Sequence, residues 1–148
     1  MKKLFVATAV FFLLMTTATA STAPPLKKPE VTAADSFMKK MGAYAVAQNS
    51  KMLCSMFSSE FLLVYVGGGQ KLCAQYVQDA WRTTPPPSSF RIMRTVLFQG
   101  KVRAVVETQE QDATSGKWHS WLYVLIKERG SLKLLDMIDN GPIKNKAP

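Results

Sequence analysis

Trp118-His119-Ser120-Trp121-Leu122-Tyr123-Val124-Leu125-Ile126-Lys127-Glu128-Arg129-Gly130-Ser131-Leu132-Lys133-Leu134-Leu135-Asp136 decides the fold. Two runs rich in aromatic and branched residues flank Glu128-Arg129-Gly130, where glycine reaches φ > 0, so the stretch reads as a β-hairpin. The pattern continues upstream. Strand-type residues fill Phe90 to Phe98 and Val102 to Glu110, with breaks at Gln99-Gly100-Lys101 and at Asp112-Ala113-Thr114-Ser115-Gly116. The region from Phe90 to Ile138 is thus expected to be a four-stranded antiparallel meander.

Before the meander the period changes from two to 3.6. Thr32 followed by Asp35 suits a helix start, and Phe37, Met41, Tyr44, Ala45 and Gln48 follow on one stripe. After Asn49, Ser50 can cap a short second helix carrying Met52, Leu53, Met56 and Phe57. Glu60 to Val66 is a compact apolar run ended by Gly67-Gly68-Gly69 and is expected to be an edge strand. The three glycines lack a following Lys-Ser/Thr and a parallel βαβ setting, so they read as a turn, not a phosphate loop. Gln70 to Arg82 is helical, and Pro85-Pro86-Pro87 carries the chain stiffly into the meander.

The first 20 residues have the grammar of a secretory signal: Lys2-Lys3, an apolar block from Leu4 to Met15, and a small-residue end at Ala18-Thr19-Ala20. The block is too short for a hydrocarbon core of ~30 Å, and no later run approaches a span, so no membrane attachment is expected after cleavage. Residues 21–31, with Pro24, Pro25, Pro29 and two lysines, are expected to be an exposed linker. The domain is expected to occupy 32–139, and 140–148 to be a disordered tail. Cleavage removes two lysines and takes the net charge from +9 to +7. The remaining charge is scattered, without a like-charge block or basic-aromatic interleaving, which argues against nucleic acid as a partner.

Helix, short helix, strand, helix and meander is an order that resembles the nuclear transport factor 2-like (NTF2-like) superfamily, which includes SnoaL-type cyclases and ketosteroid isomerase. The resemblance rests on Ala43 to Ser50, Leu53 to Phe57, Phe61 to Gly69 and the Trp118 to Asp136 hairpin. It implies an α+β cone, in which N-terminal helices pack on a curved, mainly antiparallel sheet and leave a pocket at the wide end. Enzymes of the family place a Tyr on the first helix and carboxylates on the first strand and the meander. Here Tyr44 matches the tyrosine, whereas the acidic positions fall on Tyr65 and near Leu122. Proton abstraction next to a carbonyl then lacks its base.

The resemblance also places the Leu122 face of the third meander strand inward, with Trp118. Tyr44, Tyr65, Trp81, Trp118 and Leu122 are therefore the expected pocket residues. Trp121, Tyr123 and Leu125 would face outward, where members of the family commonly dimerise. Both faces of this strand are apolar, and a slip of one residue would exchange them. His119 is the only histidine, which excludes a His-based triad or a His-rich metal site. No metal or cofactor is expected. Asp136 and Glu107 are ambiguous by parity; Asp136 would be the base, with Tyr44, if the protein were an enzyme.

Cys54 and Cys73 are two cysteines in a chain read as secreted. They are expected to pair, closing a loop worth ~3 kcal/mol in the chain-entropy model; the alternative is two buried thiols. Three functions are consistent with these features. The first is a secreted, non-catalytic domain that holds a small lipophilic ligand or a protein partner, as a homodimer. The others are a cyclase- or isomerase-type enzyme and a cystatin-like protease inhibitor.

Overall fold

A computed structural model describes residues 28–143. The helical part comprises α1 (Lys28–Val46), α2 (Ser50–Ser55), α3 (Ser59–Phe61), a π-helical turn (Leu62–Val66) and α4 (Gln70–Thr83). The sheet comprises β1 (Ser89–Leu97), β2 (Val102–Gln111), β3 (Trp118–Glu128) and β4 (Ser131–Pro142), in the order β1-β2-β3-β4 with every pairing antiparallel. The meander therefore lies where the alternation and turn residues put it. Arg129 and Gly130 both take positive φ, 49° and 83°, the geometry of the tight hairpin turn. Asp112 Oδ1 accepts from the N–H groups of Thr114 and Ser115 and closes the longer β2–β3 turn.

The sheet is curved and unclosed, and its register shifts at Ile92/Arg94, Val102/Ala104, His119/Trp121 and Val124/Leu125 supply the bends. Its concave face receives α1. Ala34, Met38 and Met41, a turn apart on that helix, are buried with Leu97, Ala104, Val106, Leu125 and Leu134. Thr95 Oγ1 donates to Asp35 Oδ1 at 2.6 Å, fastening α1 to β1. A Cβ at Gly42 would lie 3.3 Å from the Phe90 ring, so the absent side chain is what lets β1 approach this closely. Cys54 and Cys73 form a disulfide that joins α2 to α4 inside the core.

Sequence expectations are corrected in four respects: the bounds of the domain, the cap of α2, residues 60–66 and the face of β3. Residues 28–31 are not linker: α1 is already running at Lys28, and Pro29 is tolerated because first-turn N–H groups need no helical partner. Residues 140–142 are not tail, since β4 continues to Pro142, and the N–H of Ile143 bonds the Trp118 carbonyl at 2.9 Å. The signal segment, residues 21–27 and residues 144–148 lie outside the described residues. The cap of α2 is Asn49, whose side chain accepts from the Met52 N–H at 3.2 Å, not Ser50.

The third correction concerns Glu60 to Val66, which is helical. Ser58 caps this segment by accepting from the Phe61 N–H at 3.0 Å, and Glu128 receives the N–H and hydroxyl of Ser59 at 3.1 and 2.6 Å. Gly67, at φ 71°, ends it. Phe61 and Leu62 are buried while Leu63 and Val64 are about two-thirds exposed, a one-sided helical pattern. Only Met56 to Ser58 pairs with the β4 edge, through Ser58 N–H to Leu134 O and Leu134 N–H to Met56 O.

The fourth is parity. Ala104, Val106 and Thr108 are fully buried and pair with Leu125, Tyr123 and Trp121. Trp121, Tyr123 and Leu125 therefore face the helices, and the Leu122 face points away from them. A strand apolar on both sides carries no parity signal of its own, whereas β2 does, because Glu107 and Gln109 alternate against Ala104 and Val106.

Candidate functional site

Between the concave sheet and the helices lies a cavity of about 350 Å³. Helices and sheet together build its wall. Met41 and Ala45 come from α1, Phe61 and Tyr65 from the segment after α2, Val77 and Trp81 from α4, and Tyr123 and Leu134 from the sheet. Each position follows from periodicity: 41 and 45 are one turn apart on α1, 77 and 81 one turn apart on α4, and Phe61, the last residue of α3, lies about one turn before Tyr65 on the π-helical turn that follows. The wall is aliphatic and aromatic almost throughout. Such a surface sheds water readily and offers dispersion contacts to an apolar guest.

One end differs. Glu110, near the end of β2, is the one charged side chain on the cavity wall among the described residues. Tyr123 O–H donates to its Oε1, and Thr108 Oγ1 donates to the same oxygen at 3.4 Å. Burial pushes the Glu110 carboxyl above the usual range, against the two hydrogen bonds, and the negative charge of Asp139 adds to the rise. Burial, then the Glu110 charge, pushes the Tyr123 phenol well above its ordinary value. The result is a carboxyl group that is costly to ionise, held by a phenol, at the polar end of an apolar chamber.

At the rim, Tyr65 O–H donates to Asp136 Oδ1 at 2.5 Å, and this bond raises the tyrosine pKa. Around Glu110 a second, smaller cleft of about 220 Å³ adjoins the chamber; Pro87 and Glu110 line both. Asp112, His119, Trp121 and Asp139 complete it, with His119 Nδ1 3.9 Å from Asp139 Oδ1.

The expected pocket residues divide. Tyr65 and Trp81 line the cavity. Tyr44 does not; its position on α1 is rotated ~100° from Ala45, and it packs on the flank of the core with the Lys40 ammonium 5.8 Å from its ring. Trp118 lies under the Arg91 guanidinium, 4.2 Å away, and Leu122 sits opposite Glu107 and Ile138 on the outer face. Tyr123 and Leu125, expected at a dimer surface, are core residues, and Trp121 packs against the same core. Glu107 belongs to the outer face, where it pairs with Arg94. Asp136 meets Tyr65 rather than Tyr44. Glu110 and Tyr123 were not anticipated as a pair. Their signal is the β2 alternation Ala104, Val106, Thr108, Glu110, which puts a carboxylate at the end of a buried row.

Among described residues, no cluster of three or more His, Cys, Asp and Glu has metal-holding geometry, and no helix is long and apolar enough to cross a membrane. No family model and no curated protein matches the chain. Solved structures do. A ketosteroid isomerase-like protein from Erwinia carotovora atroseptica is 12% identical, covers 80% of this chain and 99% of its own, and superposes with a TM-score of 0.59. An NTF2-like protein of unknown function from Shewanella baltica is 17% identical over 79% and 97% of the two chains, with a TM-score of 0.55. A domain of unknown function with a cystatin-like fold from Nostoc punctiforme is 12% identical over 82% of each, at 0.61. The fold is thus NTF2-like. At these identities the likeness concerns architecture alone.

Proposed function

We propose that this domain is an exported, non-catalytic binding module that holds a small apolar ligand in the cavity between helices and sheet. The observation that carries the reading is the wall itself: aliphatic and aromatic side chains from the helices and the sheet converge on one partly open cavity, with a single carboxyl at one end. Tyr65, where the resemblance puts the family's base, lines the cavity without a carboxylate, which supports binding over the family's proton-transfer chemistry. Export is supported by the signal-like residues 1–20 and by the Cys54–Cys73 bond, which suits an oxidising compartment. The proposal includes a homodimer, now through the outer sheet face, where Val96, Val105 and Val124 form a cross-strand apolar row. Native mass spectrometry of the purified protein tests both parts. The expected result is a dimer that carries a small-molecule adduct, with the adduct absent from Ala45→Trp, which fills the chamber. An adduct-free wild type that takes up no apolar probe would overturn the binding reading, and a monomer would overturn the dimer.

One observation favours a second reading, an enzyme of the cyclase or isomerase type. A partly desolvated carboxyl beside a tyrosine in an apolar pocket is the equipment of a general base or acid. The acting group would be Glu110, not Asp136 or Tyr44. Glu110-dependent exchange of α-protons of an enolisable ketone, followed by NMR in deuterated water, would replace the first reading with this one.

A further inference from the structure

We propose that the ligand of this cavity is a lipophilic cation, with an apolar body in the chamber and an ammonium group seated on Glu110. The inference rests on the cavity-binding reading above and adds the chemistry of the guest. Tyr123 and Thr108 both donate to Oε1 of Glu110, which leaves Oε2 to be engaged. That oxygen is not sealed in: among described residues no fully buried side-chain oxygen or nitrogen is without a partner. Glu110 lines the chamber and the adjoining cleft, so a group at Oε2 stands at the junction of the two.

Charge then selects the guest. The chain carries 19 Lys and Arg against 10 Asp and Glu, yet among the described residues no Lys or Arg lines either volume, whereas Glu110, Asp112 and Asp139 do. Besides Glu110, the ionisable groups lining the two volumes are Asp112, Asp139, His119 and the phenols of Tyr65, Tyr76 and Tyr123. A carboxylate ligand would meet three like charges. An alcohol would satisfy Oε2 but leave the mutual repulsion of Glu110 and Asp139 in place. An ammonium relieves that repulsion and the desolvation of Glu110 together. Trp121 also lines the cleft, and an indole ring attracts a cation placed over it.

Calorimetric titration of the purified protein at pH 7 with octylamine, octanol and octanoate isolates the headgroup, since the three share one chain. Octylamine is expected to bind at least ~10-fold tighter than octanol, with octanoate weakest, a preference of ~1.4 kcal/mol or more. Glu110→Gln is expected to bring octylamine down to the octanol level and leave octanol unchanged. Octanol or octanoate binding as tightly as octylamine, or a preference that survives in a folded Glu110→Gln, would overturn the cation assignment while the apolar-cavity reading stands. Binding of none of the three would overturn both. The wild-type series decides the matter even where the variant fails to fold. Asp139→Asn, at an exposed position, should reduce the octylamine preference by a smaller factor.

Discussion

Glu107 and Glu110 lie three residues apart on β2 and live in different media. Three is odd, so the pleat sends one to the outer face and the other inward. Glu107 meets the Arg94 guanidinium at 3.5 Å, and Arg94 is largely exposed. Glu110 is partly buried beside Tyr123 and Thr108, and its carboxyl is hard to ionise. The same side chain is surface decoration on one face and the polar end of a chamber on the other. Chemistry in this protein is assigned by which face of the sheet a residue occupies, before it is assigned by residue type.

The largest expected effect tests the faces themselves. Leu125 is fully buried on the inner face, and Leu125→Ala should cost ~2–5 kcal/mol of stability through lost contacts and a residual void. Its neighbour Val124, on the outer row, should cost under ~1 kcal/mol as Val124→Ala. Denaturant midpoints of the two variants compare them directly. Equal losses would mean that the outer row is covered as thoroughly as the inner one.

Tyr123→Phe comes next. It keeps the ring and removes the donor to Glu110, leaving a buried acceptor with only the long Thr108 bond, at ~1–3 kcal/mol. The loss of a donor that favours the carboxylate also pushes the Glu110 pKa further up. The cost should therefore be larger at pH 8, where the carboxylate must be held, than at about pH 3, below the ordinary glutamate range, where both states are protonated.

Glu110→Gln sharpens the same point through linkage. A carboxyl whose folded pKa is raised binds a proton more tightly folded than unfolded, so stability falls as pH rises from about the unfolded value through the folded one. Below that window the wild type suffers no ionisation penalty; above it the penalty is complete. The glutamine variant lacks this slope, and melting temperatures across pH 4 to 8 should show wild type losing ground to it. A parallel pair of curves would mean that Glu110 is as well solvated as Glu107.

How far these faces could be read from sequence differs along the chain. The four strands and their turns were legible because Gly100, Gly130 and the Asp112 loop punctuate long runs of strand-formers. The NTF2-like order followed from them, as did the placement of Cys54 and Cys73 on neighbouring helices. Phe61 to Val66 was misread because a short apolar run is compatible with a strand or a buried helix, and its arbiters are distant. Glu128, far along the chain, helps cap it, and the Met56 to Ser58 segment takes the β4 edge first. The face of β3 was misread because Leu122 and Tyr123 are equally apolar candidates for the interior. The less ambiguous β2 fixes it, since Ala104 and Val106 leave only one side for the core. Glu110 shares their parity, but its desolvation depends on Pro87, Trp81 and the helices closing over it, and those contacts have no signature in local sequence.

The smallest expected effect belongs to Glu107→Gln. Its partner Arg94 is 70% exposed, and a bridge between such groups is screened by water and opposed by side-chain entropy. The variant should lie within ~0.5 kcal/mol of wild type in the monomer. Glu107 also sits in the cross-strand row with Leu122 and Ile138, in the middle of the outer face. If that face joins two copies, the pair is desolvated there, and breaking it leaves Arg94 uncompensated. A loss well above 1 kcal/mol that grows with protein concentration would therefore show that the outer face is an interface. A loss that is small at every concentration leaves Glu107 as the solvated counterpart of Glu110.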